Sequence, residues 1–148
     1  MSGVNKNMPV FDLIVIGGGA AGFYGAIQAA EMYPDRKILI LEKSGKLLSK
    51  VRVSGGGRCN VTHHCFEAVR LSQHYPRGEK ALRHIFKEYN ASHTVSWFAS
   101  RGVPLKVEED GRMFPSTNTS TSHQSNPQPN QVAGGISMTQ VLVWGSYW

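Results

Sequence analysis

No apolar run in this sequence approaches the ~20 residues that a membrane-spanning helix needs. Cysteine is nearly absent. Cys59 and Cys65 are the only two, too few to staple a disulfide scaffold, so a reducing compartment and hence the cytoplasm are expected. Runs of lysine and arginine are lacking as well. The formal net charge of +6 is spread along the chain, without a recognised nucleic-acid module. No nucleic-acid partner and no membrane partner are therefore expected. The first apolar stretch, Val10 to Ile16, is short, holds Asp12 and runs into glycines, which is not a secretory signal. The most local absence is at the end. From Ser116 to Trp148 there is no Lys, Arg, Asp or Glu.

What is present is a globular composition, 41% hydrophobic and 18% charged over 148 residues, enough for one domain. Val10–Ile16 reads as a strand buried on both faces, as in a parallel sheet. Gly17 to Gly19 break it. Ala20 to Met32 reads as a helix with Phe23, Ile27 and Ala30 on one stripe, ended by Pro34 and Asp35. Lys37–Glu42 is a second buried strand. Strand, short helix and strand predict a right-handed βαβ crossover. Ser44 to Thr62 reads as a glycine- and lysine-rich loop. Residues 67–75 predict a short helix, and Glu79–Tyr89 an amphipathic one with Leu82, Ile85, Phe86 and Tyr89 apolar. Ser92 is expected to cap a helix reaching Arg101. Phe86, Tyr89, Trp97 and Phe98 are expected in the core. Val103–Val107 and Arg112–Phe114 flank an Asp-Gly turn and predict a hairpin.

Two constellations carry chemistry. Gly17-Gly-Gly-Ala-Ala-Gly22 fits G-x-G-x-x-G and sits between a strand and a helix, where that pattern is informative. Gly17 permits the tight turn, Gly19 lets a pyrophosphate approach the backbone, and Gly22 lets the helix pack close to the strand. The helix N-terminus presents unpaired N–H groups and a positive dipole end to phosphates. Glu42, about twenty residues past the last glycine, is placed for ribose hydroxyls. Its charge would repel a 2′-phosphate, so FAD or NAD is expected over NADP. The second constellation is Ser54-Gly-Gly-Gly-Arg-Cys-Asn60, preceded by Lys50 and Arg52. Its glycines let backbone lie against a flat or anionic ligand. Arg58 is suited to a phosphate or a flavin carbonyl, Asn60 to a ring edge, and a plain surface loop is the alternative. Cys59 and Cys65 flank His63 and His64 without zinc-finger spacing, so no metal site is expected.

These strings, with Leu41-Glu-Lys43 and Ser54-Gly-Gly-Gly-Arg-Cys-Asn-Val-Thr62, resemble the BaiN-like NAD(P)/FAD-dependent oxidoreductases, also known as aminoacetone-oxidase-family FAD-binding enzymes. Tyr75-Pro-Arg-Gly78, Gly102-Val-Pro-Leu105 and Gly111-Arg-Met-Phe-Pro115 extend the resemblance over about residues 10–118. It implies an α/β, Rossmann-like FAD/NAD(P)-binding βαβ domain. It further implies hydride transfer through FAD, with NAD(P)H as donor and a small molecule as substrate. Gly17, Gly19, Ala20, Ala21 and Gly22 would lie at the pyrophosphate, Glu42 at the ribose and Lys43 near the adenosine. Lys50, Gly55, Gly56, Arg58, Cys59 and Asn60 would lie along the cofactor toward the flavin. His63 stands where the family often has Asn.

Relatives continue past the position of Pro115 into an inserted substrate domain and a returning C-terminal segment. Residues 1–115 are accordingly expected to be the N-terminal part of a FAD domain, incomplete here. Residues 116–148 are expected to be an uncharged tail, disordered or aberrant. Val141–Trp144 is its only β-like run, and the open edge of the first strand is the place it could fill. Three outcomes follow: a truncated flavin oxidoreductase without an identifiable catalytic acid or base, a binding-only or inactive fragment with a partial dinucleotide site, or a small NAD-binding module.

Overall fold

A computed structural model describes residues 9–117 together with the strand residues 131–132, 136–137 and 141–145. Most of the uncharged segment from Ser116 onward lies outside the described residues. The chain divides into two compact units, one built on residues up to Ser49 with the last strand, the other starting at Lys50.

The first unit is the expected βαβ. Leu13–Ile16 (β1) leads into Ala20–Met32 (α1) and Ile38–Glu42 (β2). β1 and β2 are parallel, with Leu13 opposite Ile38 and Ile16 opposite Leu41. Phe23, Ala26 and Ile27 of α1 are buried, as are Ile38 and Ile40 of β2. Phe23 and Ile27 belong to the stripe that the helical spacing predicts, Ala30 of that stripe is half-buried and Ala26 is buried instead; this burial drives the crossover to close.

β1 departs from expectation. Leu13, Ile14 and Ile16 are 40%, 51% and 87% exposed, so the strand is not buried on both faces. The reason is position: β2 is its only strand neighbour among the described residues. The β-like run near the end of the chain does become a strand, but it pairs elsewhere than at the open edge of β1.

In the second unit, Ser49–Gly57 (α2) replaces part of the expected loop. The glycines end this helix rather than prevent it: Ser54 is extended (φ −64, ψ 145), and Gly55 and Gly56 turn left-handed. Thr62–His63 (β3), Ala68–Gln73 (α3), Glu79–Glu88 (α4), Ala91–Ala99 (α5), Leu105–Val107 (β4) and Arg112–Pro115 (β5) follow. β5 lies between β3 and β4, antiparallel to both. The expected hairpin is formed, with Gly111 (φ +80) donating its N–H to Glu108 O at 2.8 Å. Leu71, Ala91, Val103, Met113 and Phe114 are buried.

Beyond these, Gln131–Val132 (β6) and Ile136–Ser137 (β7) are two-residue strands. Val141–Gly145 (β8) belongs to the first unit and lies parallel to β2, giving the order β1-β2-β8. Among the described residues no helix is long and apolar enough to cross a membrane.

Two local expectations are corrected. Phe86, Tyr89, Trp97 and Phe98 are half-buried or exposed, not core. They pair on the surface instead: Trp97 meets Phe98 edge-on at 5.1 Å, and Tyr89 stacks on His93 at 5.3 Å. The cap of α5 is Asn90, not Ser92. Asn90 Oδ1 accepts the Ser92 N–H at 2.9 Å, and the His93 ring accepts the Asn90 N–H at 3.1 Å. Asn caps as well as Ser does, and here the geometry starts the helix two residues earlier. Asn90→Ala is expected to cost about 1 kcal/mol in urea unfolding. Ser92→Ala is expected to cost less, and the reverse order would restore Ser92 as the cap.

Candidate functional site: the glycine turn and its carboxylate

The turn between β1 and α1 begins at Gly17, whose φ of +104 only glycine adopts readily. Gly17 donates its N–H to Leu41 O at 2.7 Å, which ties the turn to β2. A Cβ on Gly22 would lie 2.0 Å from Gly17 O, so any side chain there would push α1 off the strand. This is the close helix–strand packing expected of the last glycine.

Gly19 is the N-cap of α1. It offers no side-chain cap, and the first turn holds no acidic residue. The first amides of a helix have no intrahelical acceptor, and the dipole end is positive. The mouth formed by Gly19, Ala20 and Ala21 is exposed, and a Cβ on Gly19 would meet nothing within 4 Å. Both features suit a phosphate approaching backbone.

Glu42 closes the arrangement from the end of β2. Its Oε2 accepts the Gly18 N–H at 2.7 Å. Its Oε1 accepts the Ser44 N–H at 2.8 Å and the Ser44 hydroxyl at 3.0 Å. The Ser44 N–H, and after it the Gly18 N–H, hold the carboxyl below its ordinary value of 4.5. Glu42 is therefore a carboxylate at neutral pH. The Gly18 and Ser44 N–H groups and the Ser44 hydroxyl take three of a carboxylate's about four acceptor positions, which leaves one at most for a ribose hydroxyl.

Reading the sequence missed the middle glycine. A Cβ on Gly18 would lie 2.7 Å from Leu47 Cδ2 and 3.2 Å from Glu42 Cβ. Gly18 O also accepts the Leu48 N–H at 2.8 Å. Ser44, Leu47 and Leu48 thus belong to the turn. The one available signal was Glu42-Lys-Ser44, a carboxylate followed two residues later by a residue able to donate twice to it. Lys43 is exposed.

The second constellation lies in the second unit and forms a turn of its own. Gly55, Gly56, Gly57 and Cys59 all have positive φ, 58°, 70°, 85° and 64°. The Cys59 N–H donates to Ser54 O at 3.1 Å. A Cβ on Gly55 would lie 2.4 Å from Phe114 Cε1. Arg58 Nε donates to Gly55 O at 3.2 Å, and its Nη1 pairs with Glu108 Oε1. The guanidinium lies 4.3 Å from the Phe114 ring centre. Arg58 therefore spends much of its bonding capacity on the protein. Burial pushes the Cys59 thiol up, away from the reactive thiolate. Cys59 and Cys65 are free thiols. Lys50 and Asn60 are exposed. Among the described residues no cluster of three or more His, Cys, Asp or Glu is placed to hold a metal ion.

A family model for the HI0933-like protein Rossmann domain matches residues 11–124. The chain belongs to this family. Its α/β, Rossmann-like class agrees with the βαβ of the first unit. A 3-dehydro-bile acid delta(4,6)-reductase of Clostridium scindens is 32% identical over 108 residues, 73% of this chain and 25% of its own length. A ribosomal RNA dihydrouridine synthase of Escherichia coli is 34% identical over 95 residues, covering 61% and 23%. The corresponding Haemophilus influenzae synthase is 27% identical over 101 residues, covering 68% and 24%. The chain spans about a quarter of the length of these curated relatives.

The state of Glu42 gives a pH prediction. Its folded value lies below 4.5, so its contribution is present above that pH and is lost as pH falls through the folded value. The Glu42→Gln protein is expected to lose stability less steeply than the parent below pH 4.5 in acid titrations followed by circular dichroism. Identical acid limbs would contradict the role given to this carboxylate.

Proposed function

We propose that this chain carries the cofactor-binding part of a FAD-dependent oxidoreductase and that its glycine turn holds the ADP half of FAD. The observation that supports this best is the Glu42–Gly18 hydrogen bond beside an uncapped helix N-terminus. It sets an anion site and a ribose acceptor at the ends of two adjacent strands. Gly17, Gly19, Ala20, Ala21 and Gly22 would hold the pyrophosphate, Glu42 the ribose, and Lys43 the adenosine region. Lys50, Gly55, Gly56, Arg58, Cys59 and Asn60 are proposed as further contacts to the cofactor, as the family resemblance implies.

FAD, when bound, supplies reversible hydride acceptance, with NAD(P)H as the proposed donor. The chain's part is to bind and orient it: peptide N–H groups meet phosphate, a fixed carboxylate meets sugar, and the same charge disfavours a 2′-phosphate. The named activities of the relatives share a reaction class, saturation of a carbon–carbon double bond. We carry over that class with a small-molecule acceptor, after the first relative. The two synthases support a second reading, an RNA acceptor, which the spread of charge had argued against. No residue here is assigned as the catalytic acid or base. A binding-only role with a partial dinucleotide site is the alternative for this chain. Residues 1–115 are proposed as the cofactor-binding part, and a content of only two cysteines supports a reducing, cytoplasmic location.

Gly19→Ala tests the site apart from the fold. Gly19 has φ −91 and open space around it, so alanine fits the backbone. The variant is expected to melt with the parent but to bind FAD at least about tenfold more weakly in fluorescence-quenching titrations, because the methyl occupies the phosphate approach. Unchanged FAD affinity would remove the turn from the site. A parent chain that binds neither FAD nor ADP would leave it without the proposed function.

A further inference from the structure

The glycine loop Ser54–Asn60 adopts a shape that its own sequence does not enforce. Three consecutive glycines lose more backbone entropy on ordering than any other tripeptide. Cys59 adds a left-handed residue that carries a side chain, a conformation uncommon outside glycine. Within the loop the Cys59 N–H donates to Ser54 O and the Arg58 Nε–H to Gly55 O. Further bracing comes from the β4–β5 hairpin, some fifty residues away along the chain. Glu108, at the mouth of that hairpin, pairs with Arg58 Nη1. Phe114, fully buried in β5, supports the guanidinium from beneath and packs where a Cβ on Gly55 would stand.

Glu108 is itself held in place. Its N–H donates to Arg112 O at 2.9 Å and its carbonyl accepts the Gly111 N–H. Arg58 and Glu108 are 34% and 25% exposed, so their attraction is less screened than that of a surface pair. A part-buried guanidinium paired with a carboxylate is also oriented, because its N–H groups form a rigid fork.

We infer that Glu108 is a positioning residue for cofactor binding: through Arg58 it sets the Gly55–Cys59 backbone in the shape that meets FAD. This rests on the proposed FAD function, and Glu108 itself need not touch the cofactor. The pairing has a second consequence. Glu108 neutralises Arg58 locally, so the loop offers oriented peptide groups rather than a free cation. That suits a neutral ring system better than a phosphate.

The test is Glu108→Gln in the 148-residue protein, with FAD and ADP titrated separately and amide hydrogen exchange followed at Cys59. FAD affinity is expected to fall about tenfold, with ADP affinity and melting temperature unchanged and the Cys59 amide exchanging faster. Glu108→Asp is expected to recover part of the FAD affinity. It also takes the place of Glu108→Gln should that variant not fold. Unchanged FAD affinity with unchanged Cys59 exchange would overturn the inference. Equal weakening of ADP and FAD would overturn it as well, by showing a general structural role. If the parent binds neither ligand, the FAD function itself fails. The exchange rate at Cys59 then still decides whether Glu108 holds the loop.

Discussion

A peptide N–H and a carboxylate twenty-four residues apart hold the first unit's turn in shape. Gly18 reaches Glu42 only because α1 sits close against β1, and α1 sits close only because Gly22 has no side chain. The turn, the helix mouth and the charge at the end of β2 are thus one mechanical object. Its geometry gathers an uncapped helix N-terminus and a fixed carboxylate at the ends of β1 and β2. Ser44 completes it by donating twice to the same carboxylate, which keeps Glu42 ionised and oriented. The buried pair Ile38 and Ile40 anchors β2 beneath α1, so the core and the site share a strand.

The second unit solves a similar problem by different means. Its glycine loop has no helix dipole to offer, since the glycines terminate α2 rather than open it. Shape there comes from a long-range ion pair and from the Phe114 ring. In both units a conformation that glycine permits is made specific by a carboxylate from a distant element.

The sequence was legible where local rules and burial agree. Ala20–Met32 has the bounds that its composition and Pro34 predict, because a buried stripe and a following proline act together. The Asp-Gly hairpin was legible for the same reason. β1 was misjudged because a continuous apolar run cannot say how many neighbours a strand will have. The α5 cap lies two residues before the one expected, since Asn90 and Ser92 are both good caps and only geometry chooses between them. In the candidate site, the places of Gly17, Gly19, Gly22 and Glu42 in the turn were readable from spacing. Gly18, Ser44 and Glu108 were not. Their roles depend on contacts across 24 residues, on a local Glu-x-Ser geometry and on contacts across 50 residues. No periodicity encodes such contacts.

The central claim is that the Gly17–Gly22 turn, braced by Glu42, is where this chain meets a nucleotide diphosphate. Nuclear magnetic resonance of the isotope-labelled chain titrated with ADP tests it most directly. The predicted result is a set of saturable amide shifts centred on Gly18, Gly19, Ala20 and Ala21, with a smaller set at Ser44. Saturable shifts centred elsewhere, or none in this turn at millimolar ADP, would contradict the account.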